Sequence, residues 1–402
     1  MSEDFKAQRA QQEARARKVK AAVVAAFVVV VLAIVMGATV AGGAAPGTAG
    51  DAQTGDAVQT GADAAADAQT LQVTDSTGRV VSVPSSPQGI AVFDSFSGEL
   101  AVLIGAGPQL TGVPAGTKSD QVLQQVYPQL EDVTSMSGNA INLETQVASE
   151  VDVAIVKSTM DDGQCAKLER MGIPYVKVGY TTVSEQVAAI RLVGSVCGPD
   201  ASARAEQIAA YYEQTVADVQ RRVADIPDSE RVSVYHAIND ALMTDSRESL
   251  GTSWIEMSGC VDVAAGQEAT SDSDYTATLE QVYSWDPDLI VCNVADTAAS
   301  ISADAAWSGL SAVKDGRVAN IPIGATRWGQ RGSVETWFAM LWLGCQVYPE
   351  RFSDVDFEQT VKDAYQELYG VEVDDALYQQ MLAGTLRASG NGGGDGSGGG
   401  GA

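Results

Sequence analysis

The chain has 402 residues, with 25 Lys and Arg against 52 Asp and Glu, for a net charge of −27. That length holds two domains plus extensions, and the acidic balance argues against a nucleic-acid partner and reads as a soluble, solvated surface. A single histidine, His236, argues against a His-based catalytic triad or a multi-histidine metal site.

Residues 1–20 form a basic segment carrying Lys6, Arg9, Arg15, Arg17, Lys18 and Lys20. The uncharged run AAVVAAFVVVVLAIVMGATVA follows at 21–41. About 20 such residues cross a bilayer, and the basic flank keeps the N-terminus inside and sends the rest out. A cleaved signal peptide is the rival reading, because small residues lie around Ala41–Ala45; cleavage would leave the protein secreted. The length of the run and the segment after it favour an uncleaved anchor. No cysteine precedes Cys165, which excludes a lipid-modified cysteine at the end of the run. Residues 42–68 are Ala, Gly, Thr, Asp and Gln, a composition for a flexible tether.

The folded part begins at Leu71. LQVTDSTGRVVSVP alternates and turns at Ser76–Gly78, the pattern of a β-hairpin. Short apolar runs then alternate with helical ones: strands at 89–93, 151–156 and 173–180, and helices at 98–107, 165–172 and 184–198. Next comes DASARAEQIAAYYEQTVADVQRRVADI, bounded by Pro199 and Pro227. Its apolar and small positions, Ala205, Ile208, Ala209, Tyr212, Val216, Val219, Val223 and Ile226, recur every three or four residues and lie on one helix face. Pro199 and Asp200 suit its start. At 1.5 Å per residue it runs roughly 40 Å, long enough to join two bodies. The alternation then restarts, with strands at 231–237 and 288–293, a helix at 253–259, a helix end and strand within 309–323, and a helix at 334–348. Strands alternating with helices form parallel sheets. The fold class expected is therefore α/β, with two Rossmann-like lobes at 69–198 and 228–388 joined by one rigid helix at 199–227, behind an N-terminal transmembrane segment. A Gly-rich tail closes the chain at 389–402.

An internal repeat supports the two lobes. Leu143-Glu144 and Leu279-Glu280 are each followed, eight positions after the Glu, by an aspartate (Asp152, Asp288) and an apolar strand. Five cysteines, at 165, 197, 260, 292 and 345, lie in the exported part without a C-x-x-C pair. Cys292 and Cys345 sit in apolar runs and read as buried small hydrophobes. A Cys197–Cys260 or a Cys165–Cys197 bridge fits the spacing equally well, and the odd count leaves a thiol over.

No G-x-S-x-G, P-loop or H-E-x-x-H is present, and GAGPQL lacks the third glycine of a dinucleotide fingerprint. The chain therefore reads as a binding protein and not an enzyme, with a surface sensor or an enzyme on a two-lobe α/β scaffold as the less favoured alternative. In open α/β sheets ligands sit beyond the carboxyl ends of the strands, which selects the loops 94–97, 157–161, 180–182, 236–240, 293–296 and 325–331. The candidate ligand residues are Ser95, Tyr180, His236, Arg327, Trp328 and Arg331. Arg forks onto carboxylates and Trp offers a stacking face, and Gly329 and Gly332 would hold them on a tight exposed loop. The alternative is that Trp328 packs on its lobe while Arg327 and Arg331 pair with nearby acids such as Glu335. His236 reads as a hydrogen-bonded residue beside the cleft.

From Leu71 to Leu386 the chain resembles the substrate-binding proteins of iron-complex and vitamin B12 ABC importers. The resemblance rests on RVVSVPSSPQGIAV with ELAVLIGAGPQLTGV, on NLETQVASEVDVAIV and TLEQVYSWDPDLIV, and on WSGLSAVKDGRVANIPIG, RWGQRGSVETWFAMLWLGCQVYPERF and FEQTVKDAYQELYGVEV, in that order. The family has two α/β lobes joined by one helix. The resemblance implies an extracytoplasmic receptor, tethered through its N-terminal segment, that carries an iron chelate (a siderophore or haem) or a corrinoid, with no intrinsic cofactor. It implies an ABC permease dimer with its ATPase as partner, docked through Glu144 and Glu280. The chain departs from the family in lacking the lipoprotein cysteine and in having Val151 where a proline is usual.

Overall fold

A computed structural model of the chain describes residues 69–137, 140–141, 150–271 and 274–386. The basic segment, the apolar run at 21–41, the tether, the Gly-rich tail and Glu144 lie outside these residues. Among the described residues no helix is long and apolar enough to cross a membrane.

Strands β1 (Thr70–Thr74) and β2 (Val80–Pro84) pair antiparallel as the expected hairpin. Asp75 closes its turn, accepting from the backbone N–H groups of Thr77 and Arg79 at 3.0 Å each. The first lobe holds β3 (Ile90–Val92), β4 (Leu110–Pro114), β5 (Thr134–Met136), β6 (Val153–Lys157) and β7 (Tyr175–Val178), all parallel in the order β5-β4-β3-β6-β7. Helices α1 (Ser95–Leu103), α2 (Asp162–Arg170) and α3 (Val183–Val196) follow β3, β6 and β7. Helix α3 starts on a capping box, in which Thr182 accepts from the Glu185 N–H and Glu185 accepts from the Thr182 N–H.

The long helix is α4 (Pro199–Val223). Its buried positions are Ala201 and seven of the eight read from the sequence, Ala205, Ile208, Ala209, Tyr212, Val216, Val219 and Val223; the eighth, Ile226, is buried just beyond the helix end. Arg221 and Arg222 in its last turn complement the helix dipole.

The second lobe contains β8 (Ser233–Ala237), β9 (Met243–Asp245), β10 (Val261–Asp262), β11 (Asp274–Thr276), β12 (Leu289–Cys292) and β13 (Val318–Asn320). Four of them form a parallel sheet in the order β10-β8-β12-β13, while β9 and β11 make a separate antiparallel pair. The lobe's helices include α5 (Leu250–Met257), α6 (Leu279–Trp285), α7 (Ala295–Ala303), α8 (Thr336–Val347) and α9 (Phe357–Ala364), the last running into a π-helical turn at Tyr365–Tyr369. All four residues of β12 are buried, as a strand covered on both faces requires.

The two lobes share one apolar core. It runs from Ile90, Leu100 and Val193 through Ala205, Tyr212 and Val219 of α4 to Trp254, Trp337 and Leu343. The Tyr212 ring meets Trp337 at 5.0 Å between centroids. Helix α4 is therefore packed into both lobes along its length.

The two aspartates of the repeat do the same job in each lobe. The Asp152 carboxylate accepts from the Gln88 and Gly89 N–H groups at 2.7 and 3.0 Å, tying the start of β6 to the start of β3. The Asp288 carboxylate accepts from the Ser233 N–H and hydroxyl at 2.9 and 2.7 Å, tying β12 to β8. No bridge forms among the cysteines: all five are free thiols, and Cys165, Cys197, Cys260 and Cys292 are buried. Burial pushes the Cys197, Cys260 and Cys292 thiols up to about 12, which keeps them protonated and unreactive.

Candidate ligand pocket

The parallel register of β8 and β12 sets His236 beside Val291 and Ala237 beside Cys292, so His236 and Asn293 emerge together at the carboxyl edge of the second sheet. Strand β9 brings Asp245 to the other side of the imidazole. His236 Nδ1 lies 2.7 Å from Asp245 Oδ2, and Nε2 lies 2.9 Å from Asn293 Oδ1. Both facing atoms are oxygens, an arrangement that suits a ring donating from both nitrogens. Burial alone would pull its pKa down. The charges of Asp245 and Asp262 and the hydrogen bonds to Asp245 and Asn293 outweigh burial and raise it.

Asp262 completes the cluster. Burial first, and the neighbouring Asp245 charge second, push its carboxyl above the ordinary range. The Thr252 hydroxyl lies between the Ser246 carbonyl, at 2.9 Å, and Asp262 Oδ2. His236 and Asp245 are in direct contact within this cluster. Ser249 caps α5, accepting from the Thr252 N–H at 3.0 Å and donating to Asp245 Oδ1 at 2.9 Å. Gly251 is required in that first turn, because a Cβ there would lie 2.0 Å from Asp245 Oδ1.

The loop 324–335 covers the cluster from the other side. It is tied by a bridge between Ile323 and Arg327 and turns at Gly329 and Gly332, with φ of 70° and 89°. A Cβ on Gly329 would also lie 2.9 Å from the Trp254 ring. Together these elements enclose a pocket of about 230 Å³, open mouth included, lined by His236, Asp245, Asp274, Asn293, Gln330 and Arg331 among others. Arg331, 39% exposed in its side chain, pairs with Asp274 at 2.6 Å. Among the described residues no group of three or more His, Cys, Asp or Glu is arranged to hold a metal ion.

The sequence-derived site residues separate into three groups. His236 and Arg331 line the pocket. Ser95 and Tyr180 belong to the facing lobe: Ser95 opens α1, and the Tyr180 ring meets Phe96 edge-on at 4.7 Å while its hydroxyl accepts from the Gly332 N–H at 3.2 Å. Tyr180 thus touches the loop that carries Arg331. Arg327 is half-buried on the same loop and outside the pocket lining. Trp328 corrects the sequence reading. It is 0% exposed, packs on Phe338 at 4.8 Å and donates its indole N–H to Glu335 at 3.2 Å, so it offers no free face. Its burial supplies apolar area that an exposed loop tip would waste. Glu280 is exposed in the first turn of α6. Asp245, Asp274 and Asn293 were not singled out from sequence. Asn293 opened one of the candidate loops, but Asp245 and Asp274 sit on three-residue strands without a periodic signal.

A protein-family model described as "Periplasmic binding protein" matches residues 90–323. The chain is 26% identical over 323 residues to a molybdate-binding protein, MolA, of Haemophilus influenzae, covering 74% of this chain and 90% of that protein. It is 23% identical over 291 residues to an uncharacterized ABC transporter substrate-binding lipoprotein, YvrC, of Bacillus subtilis, covering 70% and 87%. A crystal structure of a periplasmic solute binding protein from Veillonella parvula superposes with a TM-score of 0.65 at 25% identity, over 80% of this chain and 99% of that one. With two parallel-sheet lobes on one helix and a pocket at the strand ends, the chain belongs to the periplasmic binding protein family: it is an extracytoplasmic binding protein, not an enzyme, and carries a ligand in place of a cofactor.

Proposed function

We propose that this chain is the solute receptor of an ABC importer and that its cargo is a compact metal oxyanion of the molybdate class. The observation that carries this reading is the pocket itself. It is a small hollow at the strand ends with a mostly polar wall, His236, Asp245, Asp274, Asn293, Gln330 and Arg331. Its donors, Asn293 and the guanidinium of Arg331, suit oxygen acceptors. The two carboxylates in the lining are matched, Asp245 by His236 and Asp274 by Arg331, so they add little net repulsion. The likeness to a protein named for molybdate binding supports the same class.

The iron complex expected from sequence, a siderophore or haem, is the second reading. It is favoured by Arg327 and Arg331 on one loop, a spacing that suits the carboxylates of a ferric chelate; a corrinoid belongs to the same comparison. In either case the importer's permease dimer and ATPase are the partners, and residues 21–41 hold the receptor at the membrane. The test is calorimetry of the purified exported part with molybdate, tungstate, sulfate, a ferric siderophore, haem and cobalamin. Saturable binding of molybdate or tungstate is the expected result. Binding of haem, cobalamin or the ferric siderophore with none of molybdate would replace this reading with the second.

A further inference from the structure

Asn293 is 2% exposed, lines the pocket, and its Nδ2 has no hydrogen-bond partner among the described residues. Buried amide groups are nearly always paired, so an unmet donor at the wall of a binding pocket points to a ligand. The amide is also held in one orientation. The Asn293 backbone N–H donates to the Ala237 carbonyl at 3.0 Å, and its Oδ1 accepts from His236 Nε2 at 2.9 Å. The ring is held in turn by Asp245 at 2.7 Å, and Asp245 by the Ser249 hydroxyl at 2.9 Å.

Resting on the oxyanion reading above, we infer that Asn293 is a ligand-binding residue whose Nδ2 donates to an oxygen of the bound anion, and that Asp245 and His236 form a relay that keeps that donor turned into the pocket. The polarity of the pocket wall then depends on the ring. While Nε2 carries its proton, only Oδ1 can face it, and Nδ2 faces the ligand. When Nε2 loses the proton it becomes an acceptor, the amide turns to donate to it, and Oδ1 faces the ligand instead. A wall that attracts an oxyanion becomes one that repels it. The charged groups around the ring are Asp245 from β9, Asp262 from β10, and Asp274 and Arg331 lining the same pocket; Trp254 of α5 meets the ring edge-on at 5.7 Å and adds no charge.

The test is calorimetric titration with molybdate at pH 6.5 and pH 9, a range over which molybdate stays a dianion, on wild type, Asn293→Asp, Asn293→Ala and His236→Gln. Wild type should bind more weakly at pH 9. Asn293→Asp, which sets a carboxylate oxygen where the donor was, should lose at least tenfold in affinity at pH 6.5. Asn293→Ala should lose severalfold at pH 6.5 and show no pH dependence, and His236→Gln should also be pH-independent. If Asn293→Asp melts below the working temperature, Asn293→Ser takes its place. Wild-type binding with both Asn293 variants within twofold overturns the inference and leaves the oxyanion reading standing. A flat wild-type pH profile, or a His236 ring that NMR titration shows still charged at pH 9, overturns the relay. No molybdate binding by wild type overturns both the inference and the reading it rests on.

Discussion

Glu335 is fully buried, and one of its oxygens accepts three hydrogen bonds, from the Thr326 N–H at 2.9 Å, the Thr326 hydroxyl at 3.0 Å and the Trp328 indole at 3.2 Å. Burial pushes its carboxyl up to about 7 from an ordinary 4.5. Glu335→Ala would leave those donors unmet and should cost about 3 kcal/mol or more in urea unfolding at pH 6, whereas Glu335→Gln, which keeps an acceptor oxygen, should cost about 1 kcal/mol. The same raised groups set the pH dependence of stability. A folded-state carboxyl held above its ordinary value binds its proton more tightly than the unfolded chain does. Glu335 and Asp262 therefore subtract stability as pH rises from the ordinary carboxylate range, for Glu335 up to about 7. His236, raised by Asp245, adds stability that is complete below its ordinary value and is lost as pH climbs through the folded one. Glu185, Glu206 and Glu213 are held low by hydrogen bonds, from Thr181 for the first and Arg191 for the other two, and lose their contribution only below the ordinary carboxylate value. Melting temperature should consequently be several degrees higher at pH 5.5 than at pH 8. A melting point that climbs towards pH 8 would refute the assignment of these three groups.

We propose Glu280 on helix α6 as a contact for the importer's permease. Thr278 caps the helix, accepting from the Gln281 N–H at 3.3 Å while Gln281 accepts from the Thr278 N–H at 2.8 Å, so Glu280 is not needed to close the first turn. Its exposed carboxylate gains a few tenths of a kcal/mol from the dipole. The resemblance gives Glu144 the equivalent role on the first lobe. Exposed pairs of this kind set orientation and encounter rate more than affinity, at about 0–1 kcal/mol each. Glu280→Arg and Glu144→Arg should each cripple uptake in cells carrying the importer while leaving the ligand dissociation constant of the purified protein unchanged. A loss of ligand binding would put these residues in the cleft, and unchanged uptake would leave them as helix-start carboxylates.

Across the whole molecule, the lobes are tied by more than one helix. The Tyr180 hydroxyl accepts from the Gly332 N–H, and Gln186 donates to the Ser333 carbonyl at 2.8 Å and accepts from the Tyr212 hydroxyl at 2.6 Å. The Val183 N–H donates to the Ser253 hydroxyl at 3.1 Å. Gln186 is fully buried, and the apolar core passes through α4 without interruption. Opening the lobes would break these bonds and expose the Tyr212–Trp337 contact, which resists the hinge motion of proteins linked by extended crossovers. The radius of gyration in solution scattering should therefore differ between free and molybdate-saturated protein by no more than the experimental error. A large closure would mean that the interlobe bonds exchange on ligand binding.

Local pattern was enough for the hairpin, for the alternation of strands and helices, and for the stripe of α4, because periodicities of two and near 3.6 are written into neighbouring residues. The repeat was legible for the same reason, and the sheet topology then explained its aspartates as ties between strand starts. The pocket was half legible: the rule that ligands meet the carboxyl ends of parallel strands found His236, Arg331 and the loop beginning at Asn293. The rest was decided by contacts distant in sequence. Trp328 has the glycine neighbours of an exposed loop, yet Glu335 at the loop's end and Phe338 on the following helix draw it inside. Asp245 acquires meaning only from His236 and Ser249, Asp274 only from Arg331, and Glu335 from the loop it holds. Burial of a polar group depends on which partners the fold delivers to it, and that is a property of tertiary structure that no stretch of sequence contains.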